Sequence, residues 1–338
     1  MMKKLNEQQI QLISDVTLKK TAEIGMDHAR KNTPYIRNTI KDLKEQLVEN
    51  EQKSSIIISA GPSLHRNESI ELIKNSDFKG YIVAVDGSLG QCLRNGLIPD
   101  FLVTVDPHWL NRMIRWFGDP KLSERPEDDY FQRQDLDPEL NTDELARNEE
   151  LIELVNCYGP KIKTIISTCI NPEITERCLS AGMELYWWNP LYDDYEKEDS
   201  ISRKVFQFNK IPCMVTGGNV GTSAWVFSHS VLESKDVVVV GMDNSYPPGT
   251  KVINTQYYEF LMEVFPEKPE TGLIEVYNPY LKETWITDMA YCWYNEIFLK
   301  MAPLASCKTY NCTEGGILFG DGVEFIPLSA GLKRTTNG

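Results

Sequence analysis

The chain has 338 residues, 41% hydrophobic and 25% charged, with a formal net charge of −14. This length and composition suit one large α/β domain with additions, or two domains, and exclude a fibrous or low-complexity chain. The acidic balance argues against a general nucleic-acid binder, which needs a basic face, but not against a nucleotide held by backbone amides.

The first residues, from Met1 to Gln9, lack the apolar core of a signal peptide, and no apolar run approaches the roughly 18 residues of a membrane span. The eight cysteines are scattered, without Cys-x-x-Cys or zinc spacing. Free thiols in a cytoplasmic protein are therefore expected. Residues from Glu7 to about Gln52 read as two helical pieces. Leu12, Ile13, Val16 and Leu18 give the first a partly apolar face. Thr33-Pro34 starts the second, which continues at helical spacing through Ile36, Ile40, Leu43 and Leu47. The expected organisation is an N-terminal helical extension over 1–52, a nucleotide-binding catalytic domain over 53–306, and a C-terminal tail over 307–338 packed on the core.

Three strand-like segments follow in succession, each ending in a polar turn. Ser55–Ser59 runs into Gly61-Pro62-Ser63, Tyr81–Val85 into Asp86-Gly87-Ser88, and Phe101–Val105 into Asp106-Pro107-His108. Short β-branched runs closed by Gly, Pro, Ser and Asp read as buried strands of a parallel sheet. In open α/β sheets ligands bind beyond the carboxyl ends of the strands. The stretch 119–150 is dense in Asp, Glu and Pro and reads as a surface insertion or lid. Lys163–Thr168 and Glu184–Trp188 read as further strands, and Tyr192–Asn209 as charged and mobile. Thr216-Gly217-Gly218-Asn219-Val220-Gly221-Thr222 then opens a helix that runs through Ser230. Asp236–Val240 is a strand ending at Gly241 and Asp243, and about Thr287 to Met301 is an amphipathic helix. The fold class is thus α/β, a mostly parallel Rossmann-like sheet flanked by helices.

Several of these turns can carry chemistry, and each also has a plain structural reading. Gly61 allows a sharp turn and close approach to a ligand, and the Ser63 hydroxyl can cap a helix or donate to a phosphate. Neither a Gly-x-Gly-x-x-Gly fingerprint nor a P-loop is present. Asp86-Gly87-Ser88 can be a capping turn, or Asp86 can bond a ribose or base and Ser88 a phosphate. Asp106 and His108 can share acid–base and orienting roles, or Asp86 and Asp106 can hold Mg²⁺; both are otherwise turn residues. Successive amides at Gly217, Gly218 and Gly221 with the hydroxyls of Thr216 and Thr222 make an anion site, or a close helix–sheet contact. Trp187, Trp188, Tyr192 and Tyr195 can stack on a base or sugar, or belong to the core. His28 and His229 read as ordinary packing or surface histidines.

The turns at Gly61-Pro62-Ser63, at Asp86-Gly87-Ser88 and from Asn95 to Pro107 resemble the central domain of the motility accessory factor (Maf) flagellin glycosyltransferases. The archaeal 6-hydroxymethylpterin diphosphokinases share that domain family. The resemblance continues through Gly217–Ala224, Val240–Tyr246 and Asn311–Ile317, and covers roughly residues 30 to 332. A more distant similarity is to bacterial sialyltransferases that use a CMP-activated sugar. The resemblance implies a Rossmann-like nucleotide-binding core. For the Maf branch it implies transfer of a nonulosonic acid, of pseudaminic or legionaminic type, from its CMP donor to Ser or Thr of flagellin or to a glycan. Carried over by position, Gly61, Ser63, Asp86, Gly217, Gly218, Asn219 and Thr222 line the CMP site, and Asp106, His108 and Asp243 sit near the chemistry. His108 is the expected base, with Asp106 orienting it or binding a metal. The modest size leaves little room for the flanking regions of full-length Maf proteins and sets the flagellin acceptor apart as the weaker implication. Two further readings stand beside the transferase: a Mg-ATP-dependent diphosphokinase acting on a hydroxymethylpterin, and a non-catalytic nucleotide-binding protein.

Overall fold

The computed structural model describes residues 21–47, 54–107, 113–125 and 146–336. His108, the middle of the acidic stretch and the first helical piece up to residue 20 lie outside the described residues. Twelve strands are named here in chain order: β1 (Asn38–Thr39), β2 (Ser54–Ile58), β3 (Tyr81–Val85), β4 (Phe101–Thr104), β5 (Lys163–Ser167), β6 (Glu184–Pro190), β7 (Cys213–Met214), β8 (Asp236–Val240), β9 (Leu273–Asn278), β10 (Glu283–Asp288), β11 (Lys308–Asn311) and β12 (Val323–Phe325). Ten of them form one sheet in the order β1-β6-β5-β4-β3-β2-β8-β11-β12, with β7 added beside β6. All of its ladders are parallel. β9 and β10 form a separate antiparallel pair.

The side chains of the central strands alternate between two apolar layers, as the pleat requires. Ile56, Ile58, Val238 and Val240 enter one core, where Leu64, Ile70, Leu89, Leu93 and Ile174 from the covering helices meet them. Ile57, Val83, Val237 and Val239 enter the other, under the helices Ile40–Gln46, Val220–Ser230 and Met289–Met301. A strand buried on both faces reads as a continuous Val/Ile run, which is why these strands are legible in the sequence. Trp187 and Trp188 point into opposite cores and are fully buried, so both serve packing rather than stacking on a ligand.

Two segments differ from their sequence-based reading. Thr33-Pro34 starts only a 3₁₀ turn, and the chain then contributes β1 to the sheet edge before Thr39 caps the helix Ile40–Gln46 through a reciprocal bond with Asp42. Within the stretch read as charged and mobile, Ile201–Asn209 is a helix capped by the Ser200 hydroxyl. Its buried Val205 and the Asp193 bonds to Ser200 and Ser202 hold it on the body, and composition alone gives no sign of that anchoring.

The order of the strands positions the site. From β2 the chain steps outward through β3, β4, β5 and β6 on one side, then returns to place β8, β11 and β12 on the other. The order therefore reverses between β2 and β8. In open α/β sheets that crevice is where ligands bind.

Candidate nucleotide site

At the switch point the β2–β8 ladder runs on into the loops. Ser59 N–H donates to Val240 O at 2.9 Å and Gly61 N–H to Gly241 O at 2.8 Å. Gly241 adopts φ +66°, and a Cβ there would lie 2.5 Å from Ser59 O, so glycine is required on both counts. The close approach brings Ser63 to Asp243: the Ser63 hydroxyl donates to Asp243 Oδ2 at 2.8 Å, across 180 residues of sequence. A side chain at Gly61 would strike the same carboxylate, its Cβ 2.0 Å from Oδ2.

Asp243 is 2% exposed, and its Oδ1 has no partner. Burial pushes its carboxyl up to about 7, against the opposing pull of the Ser63 hydrogen bonds and the Arg66 charge. The segment Thr313–Gly316 closes over it. Ile317 N–H donates to Asp243 O, Thr313 Oγ1 accepts from Met242 N–H, and Asn67 Nδ2 holds the carbonyls of Thr313 and Glu314. A Cβ on Gly315 would stand 2.8 Å from Asp243 Oδ1.

The glycine-rich loop supplies the facing wall. Asn219 caps the helix Val220–Ser230, its side-chain oxygen accepting from Thr222 N–H at 2.8 Å. Gly217 and Gly218 take positive φ, and Thr216 Oγ1 accepts from Gly218 N–H. A Cβ on Gly221 would lie 2.9 Å from both Ser59 Oγ and Met242 Cε, so the helix terminus sits directly on the ends of β2 and β8. Ser59 Oγ, Asn219 Nδ2, Thr222 Oγ1 and Asn244 Nδ2 are buried without partners, beside Asp243 Oδ1. Asn244 is also held at φ +48°, a left-handed conformation rarely adopted outside glycine. A helix N-terminus flanked by unpaired donors is suited to an anion.

The remaining sequence candidates lie on the adjoining strand ends. Gly87 touches the β2 loop, its notional Cβ 2.8 Å from Ala60 Cβ. Ser88 turns inward: its hydroxyl donates to Ile58 O at 2.6 Å and accepts from Val85 N–H, tying β3 to β2. Asp86 is buried, with Oδ2 accepting from Thr104 Oγ1 at 2.8 Å and Oδ1 from Gly87 N–H at 2.7 Å. Pro62 begins the short helix Ser63–Arg66. Asp106 follows β4, close enough to the Cys169 thiol to act on it electrostatically. Both Asp86 oxygens are held by protein donors, and among the described residues no group of three or more His, Cys, Asp or Glu converges on one point. As arranged, each Asp86 oxygen already accepts a protein hydrogen bond instead of standing open to Mg²⁺.

Residues 27–116 match the family model described as 6-hydroxymethylpterin diphosphokinase MptE-like. This segment is similar to the MptE-like family. It spans β1 to β4 and contributes Ser59, Gly61 and Ser63 to the switch point, so the resemblance read from the order of the turns holds there. An uncharacterized protein of Treponema pallidum (strain Nichols) is 37% identical over 62 residues, which is 18% of this chain and 29% of that protein. The structure of the Maf glycosyltransferase from Magnetospirillum magneticum AMB-1 is similar at a TM-score of 0.49 and 14% identity, over 84% of this chain and 37% of that one. The chain thus spans less than half the length of either. Asp243, Asn219 and Gly315, which complete the site, lie beyond the MptE-like segment.

Sequence reasoning missed Ser59 and Asn244. Ser59 reads as the last residue of a strand, and its role emerges only when Gly221 arrives beside it. No helix among the described residues is long and apolar enough to cross a membrane.

Proposed function

We propose that this chain is a glycosyltransferase that uses a nucleotide-activated sugar, with the nucleotide lying across the β2–β8 switch point. One observation carries the reading: Ser59 Oγ, Asn219 Nδ2, Thr222 Oγ1, Asp243 Oδ1 and Asn244 Nδ2 are all buried and unpaired at the point where the strand order reverses. Buried polar groups normally find partners, so a cluster without them calls for a polar ligand. The amides of Gly217 and Asn219–Gly221 and the Thr222 hydroxyl meet the phosphate, and Asp243 Oδ1 accepts from a hydroxyl or amino group of the nucleoside.

The specific reaction supported by the ordered resemblance is transfer of a nonulosonic acid from CMP to a Ser or Thr hydroxyl of a flagellin-type protein, or to a glycan. The acceptor oxygen bonds to the anomeric carbon, the carbon–phosphate oxygen bond breaks, and CMP departs with its developing charge met by the loop amides. His108 takes the acceptor proton and Asp106 orients it. A Mg-ATP-dependent diphosphokinase is the second reading, favoured by the name of the family model that residues 27–116 match.

Thermal unfolding with CMP, CTP, ATP or GTP, each with and without Mg²⁺, separates the two. Ligand at a hundredfold its Kd stabilises by about 2.7 kcal/mol. Stabilisation by CMP without Mg²⁺ is the expected result; stabilisation by ATP only with Mg²⁺ transfers the assignment to the kinase. Release of CMP from a CMP-sugar is expected to fall sharply in His108→Ala and Asp106→Ala. Turnover untouched by both replacements overturns the assigned base, and no turnover in any form leaves a nucleotide-binding protein.

A further inference from the structure

The far flank of the glycine loop meets a cluster of aromatic rings. Gly218 stands at φ +91°, and a Cβ there would lie 2.4 Å from Tyr294 Cδ1 and 2.9 Å from Trp293 Cζ3. Behind that contact the rings form a continuous group. Tyr291 packs against Tyr246 and Tyr257 with centroids 5.3 Å apart in each case, and Trp293 against Tyr294 at 5.5 Å. Tyr257 and Tyr294 share a hydroxyl–hydroxyl hydrogen bond of 3.0 Å, and Tyr291 donates to Gln256 Oε1 at 2.8 Å. The Tyr246 hydroxyl donates to Asp288 Oδ2 at 2.6 Å, while Asp288 Oδ1 caps the helix Met289–Met301 at Tyr291 N–H. The whole group is thereby locked to the end of β10.

Tyr246 and Tyr294 are buried, but Tyr257, Tyr291 and Trp293 are only half-buried. Burial raises Tyr246 and Tyr257 well above 10, helped by the Asp288 carboxylate at Tyr246 and by neighbouring phenols at both, so both rings stay neutral. The hydroxyls are engaged with one another, with Gln256 and with Asp288 and so fix the orientation of the rings; the half-buried ring faces match the apolar C–H face of a pyranose. The contact at Gly218 sets these rings directly beside the glycine loop of the proposed nucleotide site.

We infer that Tyr257, Tyr291 and Trp293 form a carbohydrate subsite that takes the glycosyl ring attached to the nucleotide phosphate. This rests on the proposed nucleotide-sugar reading. With the phosphate on the helix terminus at Asn219–Thr222, β2 and β8 lie on one side of the loop and these rings on the other. The nucleoside occupies the first side and the sugar the second.

The test is calorimetric titration of CMP, CMP-N-acetylneuraminic acid, UDP and UDP-N-acetylglucosamine into the wild-type chain and into Trp293→Leu, Tyr291→Leu and Tyr257→Phe. Wild type is expected to bind one nucleotide-sugar about tenfold more tightly than its bare nucleotide. The two Leu variants are expected to lose that advantage while keeping the affinity for the bare nucleotide, which also reports that they are folded. Tyr257→Phe, which keeps the ring, is expected to lose about threefold and decides the matter if a Leu variant does not fold. Wild type that binds sugar and bare nucleotide equally, or variants that keep the advantage, overturn the subsite alone. Wild type that binds none of the four ligands overturns the proposed function and the subsite with it.

Discussion

At the carboxyl ends of β5 and β6 the Asn and Thr side chains close on one another, whereas at those of β2 and β8 a cluster of Ser, Thr, Asn and Asp atoms is left open. On the β5 side the helix of residues 21–32 lies across the turn. Asn32 Nδ2 donates to Thr168 O and Ile170 O, its oxygen accepts from Thr175, and His28 Nδ1 donates to Cys169 O. Thr168 donates to Asn189 Oδ1, and Asn189 Nδ2 donates to Asn209 Oδ1 and Ile211 O. The indole N–H groups of Trp187 and Trp188 and the Tyr192 hydroxyl remain without partners on this side. On the β2–β8 side Ser59 Oγ, Asn219 Nδ2, Thr222 Oγ1, Asp243 Oδ1 and Asn244 Nδ2 stay without partners. One sheet thus shows two uses of buried polarity, fastening at one half and recognition at the other. The clustered open groups of the second impose a cost on the free protein.

Replacing one residue on each side is the most direct way to break this contrast. Asn32→Ala removes three buried bonds and strands the carbonyls of Thr168 and Ile170, so it is expected to destabilise by about 3 kcal/mol in urea unfolding while CMP affinity is unchanged. An equally damaged affinity would show that the fastened half also takes part in recognition. Gly61→Ala drives a Cβ against Asp243 Oδ2 and Gly241 O, and is expected to cost about 2 kcal/mol of stability and to abolish measurable nucleotide binding.

Proton binding sharpens the comparison next. Burial raises Asp243 to about 7 and Asp288 to about 6. An unfolded aspartate titrates near ~3.9, so the folded state holds more protons from there up to about 7. Stability is therefore fully present below that window and falls as pH rises through it, each carboxyl contributing at most about 1.4 kcal/mol per pH unit. Asp243→Asn is expected to flatten the fall between pH 6 and 7 in particular, as measured by denaturant midpoints across pH. A slope unchanged by that replacement would show that Asp243 is not the open acid. The smallest effect has the opposite sign for stability: Thr222→Val removes an unpaired buried hydroxyl and is expected to raise stability by about 1 kcal/mol while weakening CMP binding about tenfold. Loss of both stability and binding would place Thr222 on the fastening side.

The parts of this design that could be read from the sequence are those with a period. Tyr81–Val85 and Asp236–Val240 coincide residue for residue with the strands read from the sequence, because burial on both faces keeps polar residues out of their interiors. Gly217–Thr222 is legible as a helix entrance for the same local reason, with Asn219 as its cap. The pairing of Ser63 with Asp243 is not local: it depends on β8 returning to the open side of β2, which no window of sequence contains. The aromatics show the same limit. Trp187, Trp188, Tyr192 and Tyr195 stand out as neighbours along the chain. The first two are core residues, Tyr192 lies against Gly25, and Tyr195 packs on Phe206. The rings beside the loop come instead from Tyr257 and from successive turns of the helix Met289–Met301, where spacing alone suggests only an amphipathic face.

The place of β2 at the centre of the sheet also bears on how the molecule is made. Its partner β8 is separated from it by much the same stretch of chain as the 180 residues between Ser63 and Asp243. At ribosomal speeds of about 5–20 residues per second, that stretch takes roughly ten to forty seconds to emerge. Until β8 emerges, the apolar residues Ile56–Ile58 lack the partner strand that covers that side of β2 in the folded chain. A nascent chain stalled before residue 236 would carry that edge exposed, making it a natural target for a chaperone and a starting point for aggregation.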